Sequence, residues 1–205
     1  MSKTLITVPM KDPHASKTRL AGALGRDDRA KLARLLYART LRFLGSIAAK
    51  TGADLAVVTN SSIAAMIARE AGCALIHEAA HSTLSRAASH AAAWATEHGY
   101  ARLCVIPADL VAPTSDDVIT LLRSTANVTI CPANDLGTNA LLISLPNVLP
   151  FCYGRRSSVL HMQAAQARGL STKVVPLDSL SFDIDSSACL DRAIHQAPEL
   201  AVVGR

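Results

Sequence analysis

Apolar runs of strand length alternate with helical patterns along most of this 205-residue chain, and this alternation limits the possible folds more than any other feature. The runs lie at residues 5–8, 54–59, 73–77 and 102–107. Strands that alternate with helices are typical of a mostly parallel sheet that helices cover on both faces. We therefore predict an α/β/α fold of three layers around such a sheet.

The segments between these runs have the pattern of amphipathic helices. In the first of them, leucines recur at mixed spacings of three and four, and Asp27 is the candidate N-cap. Gly72 and Gly99 are candidate stop signals for the second and third. Helices are predicted at residues 27–44, 62–71 and 84–98, from Thr114 or Ser115 onward, at 157–167 and at 187–195.

The alternation of apolar runs and helical patterns is interrupted beyond residue 126. Two apolar runs at 128–132 and 140–145 are separated only by the turn-forming stretch 134–139, which is too short for a crossover helix. An antiparallel excursion is therefore predicted, followed by a further strand at 173–177, so the sheet should be mixed. Because the chain contains neither a linker nor a repeat, we predict one domain over residues 1–205.

Composition excludes several classes of protein. No apolar run approaches the roughly 20 residues of a membrane span, and residues 1–11 are too short and polar for a signal peptide, so we predict a cytoplasmic protein without membrane contact. The five cysteines are odd in number, form no CxxC pair and mostly lie in apolar runs, which indicates buried thiols in a reducing compartment. A net charge of +5 suits an anionic ligand, whereas 3% aromatics and dispersed basic residues argue against nucleic acid.

A basic loop follows the first apolar run. Lys11, Lys17 and Arg19 lie where the carboxyl end of that strand should open, and Pro9 and Pro13 keep this stretch out of regular structure. Open α/β sheets bind ligands at this edge, so the three cations are candidates for holding phosphates. The alternative is a solvated basic turn.

Three aspartates form a candidate metal site. Asp109 follows the most apolar strand, whereas Asp183 and Asp185 flank Ile184. In an extended segment both of these carboxylates would share one face while Ile184 points into the core. Their mutual repulsion would be relieved by a cation, and hard oxygen ligands suit Mg²⁺. The alternative is that Asp185 or Ser186 caps the last helix while Asp183 is solvated.

A second metal motif lies at residues 77–81, whose sequence HEAAH matches the HExxH pattern of zinc proteases. That chemistry requires both histidines on one helix face. Because His77 ends the extended-looking run after Gly72, a helix through both histidines is not expected, although Glu97 is formally available as a third ligand.

Five short motifs occur along the chain: VPMKDPHASKTRL at 8–20, PADL at 107–110, GTNALL at 137–142, YGRRS at 153–157 and FDIDS at 182–186. In order and spacing, these motifs together resemble those of the 2-phospho-L-lactate guanylyltransferases. This family makes the activated phospho-acid from which the deazaflavin coenzyme F(420) is built. It belongs to a wider group of nucleotidyltransferases that includes the molybdenum-cofactor guanylyltransferases. The resemblance implies a Rossmann-like nucleotidyltransferase fold and transfer of GMP from GTP to 2-phospho-L-lactate, phosphoenolpyruvate or 3-phosphoglycerate.

The resemblance also implies roles for individual residues. Lys17 and Arg19 would bind the triphosphate of the nucleotide, and Lys11 is a further candidate for binding its phosphates. The metal ligands would be Asp109, Asp183 and Asp185, holding Mg²⁺, and Asp109 would be catalytic together with Lys17 and Arg19. The phosphorylated acid would be held by Thr138, Gly154 and Ser157.

The chain departs from the family pattern in two places. Thr83-Leu84-Ser85 replaces the usual Gly-Leu-Asn near the expected base, where Ser85 is the candidate nucleotide contact, and Asn134 replaces an arginine before the GTN loop. Two alternatives stay open, a nucleotidyltransferase of the molybdenum-cofactor type and a non-catalytic nucleotide-binding relative. A homodimer is one option for assembly, and a labile product would favour handover to the next enzyme.

The residues themselves support one acceptor pocket. Gly137 and Gly154 allow backbone amides to approach an anion, and Thr138 and Ser157 add hydroxyl donors. We therefore predict that the loops around residues 137–139 and 154–157 border the same pocket.

Overall fold

Seven strands lie in the computed structural model, which describes residues 3–78, 82–146, 149–182, 184 and 187–202. The strands are β1 Thr4–Pro9, β2 Asp54–Thr59, β3 Ala74–His77, β4 Arg102–Val105, β5 Val128–Pro132, β6 Thr138–Ser144 and β7 Thr172–Val174. They form one sheet in the order β3-β2-β1-β4-β6-β5-β7. The bounds of β2 and β5 are those that the apolar runs predict.

The sheet is mixed because β6 runs against its neighbours. It pairs antiparallel with both β4 and β5, whereas all other strand pairs are parallel. The prediction of an antiparallel excursion in a mostly parallel sheet is therefore confirmed. This reversal places the first residue of β6, Thr138, at the edge of the sheet where β4 ends.

Six α-helices connect or flank the strands in the described residues. They are α1 Arg26–Thr51, α2 Ser62–Glu70, α3 Leu84–Glu97, α4 Ser115–Leu122, α5 Ser157–Gln166 and α6 Ser187–Gln196. No helix in this part of the chain is both long and apolar enough to cross a membrane.

The predicted cap and end of the first helix are wrong. Gly25 is the N-cap of α1, so Asp27 lies in the first turn, where its charge favours the helix dipole. The helix continues past residue 44 to Thr51, because Ile47 and Ala48 extend its buried stripe by another turn. It ends at Gly52, which has a left-handed backbone with φ 69°.

Both faces of the sheet are buried, which confirms the three layers. Alternate residues of β1 pack into different clusters: Ile6 and Val8 with α1, α2 and α4, and Leu5 with α3 and α5. A third cluster joins the first turns of α1 to α6 through Leu20, Val111 and Ile184, among others. This cluster secures the segments that follow β1 and β4, and these segments carry the predicted site residues.

Candidate active site

A cavity of about 470 Å³ lies at the edge of the sheet where β1 and β4 end. Its lining includes Lys11, Lys17, Glu78, Thr83 and Asp109. We call it the carboxyl-edge cavity. The fold thus brings together the predicted phosphate-binding loop, Asp109 as the predicted catalytic aspartate and the start of α3, as the binding rule for open α/β sheets leads us to expect.

An ion pair between Lys17 and Asp109 occupies one wall of this cavity. Lys17 Nζ lies 2.5 Å from Asp109 Oδ2, and the two side chains are 9% and 32% exposed. The same ammonium group donates a hydrogen bond to the Ile184 carbonyl at 3.1 Å. Lys17 therefore joins the end of β4 to the segment that carries the other two candidate metal ligands.

The backbone of Lys17 is strained. It lies between two short 3-10 turns, Pro13–Ala15 and Thr18–Leu20, with φ 54° and ψ 35°. A left-handed backbone at a residue other than glycine costs on the order of 1 kcal/mol, and such strain is common at functional sites. The surrounding hydrogen bonds hold the lysine in this conformation so that its side chain reaches Asp109.

Asp12 organises the start of the basic loop. Its carboxylate accepts hydrogen bonds from the His14 amide at 2.8 Å and from the Ser61 hydroxyl at 2.8 Å. Because Ser61 is the N-cap of α2, the loop is tied to the neighbouring β2–α2 unit. The loop is therefore held in place before any ligand binds.

Lys11, Arg19 and Ser85 are the other residues predicted to contact the nucleotide, and they differ in position. Lys11 is exposed and lines the carboxyl-edge cavity, whereas Arg19 is exposed but is not among the residues that line it. Ser85, the predicted base contact, accepts a hydrogen bond from the Tyr153 amide at 3.0 Å, so its hydroxyl links α3 to the loop before α5. The roles of all three residues in nucleotide binding stay predictions.

Two of the three predicted metal ligands, Asp183 and Asp185, lie outside the described residues. Ile184 between them is 1% exposed and packs into the third core cluster, so its predicted inward orientation is confirmed. Within the described ranges, no group of three or more His, Cys, Asp or Glu side chains forms a metal site. Asp109 is the described member of the predicted set.

A second polar group lies on the other side of β4. Thr138 Oγ1 lies 3.0 Å from His161 Nδ1 and accepts a hydrogen bond from Ser157 Oγ at 3.1 Å. We call Thr138, Ser157 and His161 the Thr138 cluster. The contact between Thr138 and Ser157 shows that the two loops adjoin, whereas a pocket for the acid between them stays a prediction.

Backbone contacts fasten these two loops together. The Leu136 carbonyl accepts from both the amide and the hydroxyl of Ser158, at 3.1 and 2.7 Å. Gly154 has φ 135°, a conformation that favours glycine, and its carbonyl accepts from the Ser157 amide at 3.2 Å. A Cβ at Gly137 would lie 2.8 Å from Asp135 Oδ1, so a larger residue there would displace the carboxylate that accepts from the Gly137 amide.

Two residues of this edge were missed as functional candidates. Glu78 was considered only within the zinc motif, yet its Oε1 is buried in the wall of the cavity with no hydrogen-bond partner among the described residues. His161 was not singled out, because a lone histidine in a helical pattern gives no signal. Its four-residue spacing from Ser157, which puts both on one helix face, was available in the sequence.

The zinc motif does not form a helix at its start. His77 is the last residue of β3, as expected, and the Glu78 amide continues the strand pairing by donating to the Thr59 carbonyl at 3.2 Å. His81 lies outside the described residues.

A larger cleft, of about 850 Å³, lies at the opposite edge of the sheet. It is lined by residues at or next to the start of three strands, Leu5, Asp54 and Ala74, and by parts of α1 and α2. None of the predicted site residues that the structure describes is among its lining residues.

Solved structures share this fold. A Desulfovibrio desulfuricans G20 protein assigned to the nucleotide-diphospho-sugar transferases superposes with a TM-score of 0.70 at 19% identity, over 86% of this chain and 80% of that protein. Glucosyl-3-phosphoglycerate synthase from Mycobacterium tuberculosis, solved with Mg²⁺ and uridine diphosphate, superposes with a TM-score of 0.55 at 11% identity, over 86% and 69% of the two chains. At these identities the likeness establishes the fold.

Relatives in sequence identify a family, which the shared fold does not. The 3-phospho-D-glycerate guanylyltransferase of Colwellia psychrerythraea is 36% identical over 187 residues, which are 90% of this chain and 88% of that protein. The phosphoenolpyruvate guanylyltransferase of Rubrobacter xylanophilus is 33% identical over 193 residues, 90% of each chain. The family model described as "Guanylyl transferase CofC like" matches residues 4–197. Because this match includes every strand of the sheet, the carboxyl-edge cavity and the Thr138 cluster, the chain belongs to the family of CofC-like guanylyl transferases.

Proposed function

We propose that this protein transfers GMP from GTP to a small phosphorylated acid, such as 2-phospho-L-lactate, phosphoenolpyruvate or 3-phosphoglycerate. The observation that carries the proposal is the shared wall between the two polar sites. Thr83 and Leu84 line the carboxyl-edge cavity, and Ser85 next to them bonds the Tyr153 amide in the acceptor loop. The same wall would thus hold a nucleotide in the carboxyl-edge cavity and an acid at the Thr138 cluster.

The reaction needs no protein nucleophile. A phosphate oxygen of the acid attacks the α-phosphorus of GTP, the new oxygen–phosphorus bond forms, and the bond to the β-phosphate breaks so that pyrophosphate leaves with its electron pair. Such a transfer depends on positioning two anions and stabilising charge. Cations on one side and the Thr138 hydroxyl on the other supply both.

Lys17 carries the central role on the nucleotide side. Its side chain is only 9% exposed, so its charge acts in a partly desolvated environment where attraction to phosphate is stronger than in water. Lys11 lies in the same cavity wall and would add a second positive charge. Arg19 stays in the proposal as a ligand for the leaving pyrophosphate.

Mg²⁺ is the proposed cofactor. Asp109 fits such an ion, since its partly exposed carboxylate faces the cavity and offers hard oxygen donors. Asp183 and Asp185 would complete the ligand set. The ion would supply positive charge for the phosphates, while Lys17 holds Asp109 in position through its ion pair.

Glu78 is the proposed contact for the base. Its Oε1 is buried, and Glu78 lines the same cavity as Thr83 and Leu84, near which the base is expected. An ionised carboxylate only accepts hydrogen bonds, and the edge of guanine offers two adjacent donors, N1–H and N2–H. Adenine presents an acceptor at N1, which a carboxylate would repel. Glu78 therefore supports guanine even though Thr83-Leu84-Ser85 departs from the usual sequence.

The acceptor side would consist of Thr138, Gly154 and Ser157, as the family resemblance implies. Arg155 and Arg156 are exposed in the same loop and would add attraction for a doubly anionic acid. The product would be the activated acid of deazaflavin coenzyme F(420) biosynthesis. We also propose cytoplasmic action of one domain without nucleic acid, with a homodimer as one option and handover of the labile product to the next enzyme.

The decisive experiment supplies Mg²⁺, each nucleoside triphosphate in turn and a panel of the three acids, with pyrophosphate release as the readout. We expect release with GTP and at least one acid, and little with ATP. Absence of release with every acid, under conditions where a molybdopterin acceptor reacts, would assign the protein to the molybdenum-cofactor type. Nucleotide binding without turnover of any acceptor would indicate a non-catalytic relative.

A further inference from the structure

Both ring nitrogens of His161 are used in hydrogen bonds. The side chain is fully buried, at 0% exposure, on the inner face of α5 one turn after Ser157. Its Nε2 accepts from the Cys152 amide at 2.9 Å, and its Nδ1 lies 3.0 Å from Thr138 Oγ1. The ring of Tyr153 packs edge-on against the imidazole at 5.1 Å between centroids.

These partners determine the tautomer. A backbone amide can only donate, so Nε2 must be the unprotonated nitrogen, and a neutral ring then carries its proton on Nδ1. Nδ1–H therefore donates to Thr138 Oγ1. Burial lowers the pKa of His161 to about 4, so the ring stays neutral near neutral pH.

The tautomer in turn determines what Thr138 can do. A hydroxyl has two acceptor lone pairs and one proton. Thr138 Oγ1 accepts from His161 and also from Ser157 Oγ at 3.1 Å, so both lone pairs are used. No other partner of this hydroxyl lies among the described residues, and its own proton remains to be donated to a ligand.

We infer that His161 is a positioning residue that fixes the Thr138 hydroxyl as a hydrogen-bond donor toward the anionic acceptor. The inference rests on the proposed function, because it assumes that Thr138 contacts the phosphorylated acid. An anion accepts hydrogen bonds only, so a hydroxyl that presents a lone pair to it would repel it. By filling those lone pairs, His161 orients the hydroxyl before the acid binds and reduces the entropy lost on binding.

Two substitutions separate the two contacts of the ring. In His161→Gln the amide oxygen replaces Nε2 and keeps the Cys152 contact, but the donor to Thr138 is lost. In His161→Asn the amide nitrogen lies near the position of Nδ1 and keeps that donor. We expect His161→Gln to raise the KM of the acid roughly tenfold, the loss for one hydrogen bond to a charged group, with the KM of GTP within about twofold of the parent. His161→Asn should restore most of the acid's affinity.

A double-mutant cycle tests whether His161 acts through Thr138. Thr138→Val removes the hydroxyl, so adding His161→Gln should then change the KM of the acid little further. Additive effects of the two substitutions would overturn the inference and leave His161 a purely structural residue. Thermal unfolding of each variant identifies any that does not fold.

A spectroscopic test needs no variant. In protein labelled with ¹⁵N-histidine, one imidazole should show a protonated Nδ1 and an unprotonated Nε2 near neutral pH, with slow exchange of the Nδ1 proton. The opposite tautomer, or a charged ring, would overturn the inference. If the parent turns over no acid at all, the proposed function fails together with the inference. Normal parental turnover with an unchanged KM in a folded His161→Gln variant refutes the inference alone.

Discussion

The two sides of the proposed active site, the Thr138 cluster for the acid and the carboxyl-edge cavity for the nucleotide, hold their polar groups in different ways. In the Thr138 cluster, neutral groups bond one another, and the central imidazole is fully buried. At the carboxyl-edge cavity, charges of opposite sign pair instead, and the Asp109 side chain is 32% exposed. The acceptor side is therefore part of the folded core, whereas the nucleotide side is a charged surface attached to it.

This difference suggests what each side contributes. A buried network fixes direction, so it discriminates among small acids by geometry. Paired charges are less directional but attract strongly, which suits a triphosphate and a metal ion. Substitutions on the nucleotide side should thus change activity with little effect on stability, and substitutions in the Thr138 cluster should change both.

The largest effect should follow from Asp109→Asn. Removing the carboxylate charge eliminates a metal ligand and the partner of Lys17, and we expect turnover to fall about a thousandfold or more, comparable with the loss of a key electrostatic group in other enzymes. The melting temperature should change by only a few degrees, since the side chain is partly exposed. Pyrophosphate release measured alongside thermal unfolding checks both expectations.

Asp54→Asn is the matched control, because Asp54 is also a strand-end aspartate with a lysine partner, Lys3 at 3.3 Å, but at the opposite edge of the sheet. It should keep parental turnover. Parental turnover in Asp109→Asn as well would contradict the metal assignment.

The acceptor side should make stability depend on pH. The pKa of His161 is about 4 in the folded protein and 6.5 as an ordinary value, so the unfolded chain binds more protons between these limits. The stability due to the neutral ring is fully present above about pH 6.5 and is lost as the pH falls toward 4. The free energy of unfolding lost over this pH range is about 3 kcal/mol, since each pKa unit corresponds to about 1.4 kcal/mol.

Urea unfolding at several pH values measures this loss. His161→Asn lacks the titrating ring, so the stability difference between parent and variant should narrow as the pH falls. Parallel stability profiles for the two proteins would show that His161 does not titrate with a lowered pKa.

The sequence was sufficient for most of the fold. The apolar runs predicted all seven strands, and the short spacing between two of them predicted the reversal of β6, because strand periodicity and crossover length are local properties. The end of α1 was harder, since Gly45 and Ser46 interrupt the leucine pattern while Ile47 continues the buried face. Gly25 as its cap gave a weaker signal than the acid that follows it.

The site was predictable only in part. Candidate residues next to strand ends could be placed at one edge by the rule for parallel sheets, and Thr138 and Ser157 do meet there. The left-handed backbone of Lys17 had no signal, because such a conformation at lysine is imposed by tertiary contacts. The roles of Glu78 and His161 depend on burial and hydrogen-bond partners, which a single sequence does not reveal.

A smaller effect is expected from Lys17→Ala. The ammonium group offers a charge-assisted contact to phosphate worth about 1.5 to 3 kcal/mol, so affinity for GTP should fall roughly tenfold to a hundredfold. Titration calorimetry with GTP measures it. Lys31→Ala is the control, since Lys31 forms an exposed pair with Asp28 on α1. Equal affinity for GTP in Lys17→Ala and the parent would show that the basic loop is a solvated turn that does not bind phosphate.

The smallest loss of activity should follow from Glu78→Gln. This variant tests whether the nucleotide side also contains directional hydrogen bonds, in addition to its paired charges. A glutamine accepts at one atom and donates at the other, so it keeps the contact to guanine N1–H and loses the one to N2–H. We expect kcat/KM for GTP to fall about tenfold, from the loss of one hydrogen bond to a charged group. The KM of the acid should not change.

A change of base preference distinguishes this role from a structural one. Xanthine has a carbonyl in place of the guanine amine, so Glu78 in the parent should reject xanthosine triphosphate, whereas the glutamine amide of Glu78→Gln can donate to that carbonyl. The variant should therefore use xanthosine triphosphate better than the parent does, while Glu70→Gln at the end of α2 keeps the parental preference. Comparison of kcat/KM for both nucleotides in the three proteins measures the switch. An equal fall in kcat/KM for both nucleotides would show that Glu78 does not contact the base. Recognition on the nucleotide side would then depend on charge alone.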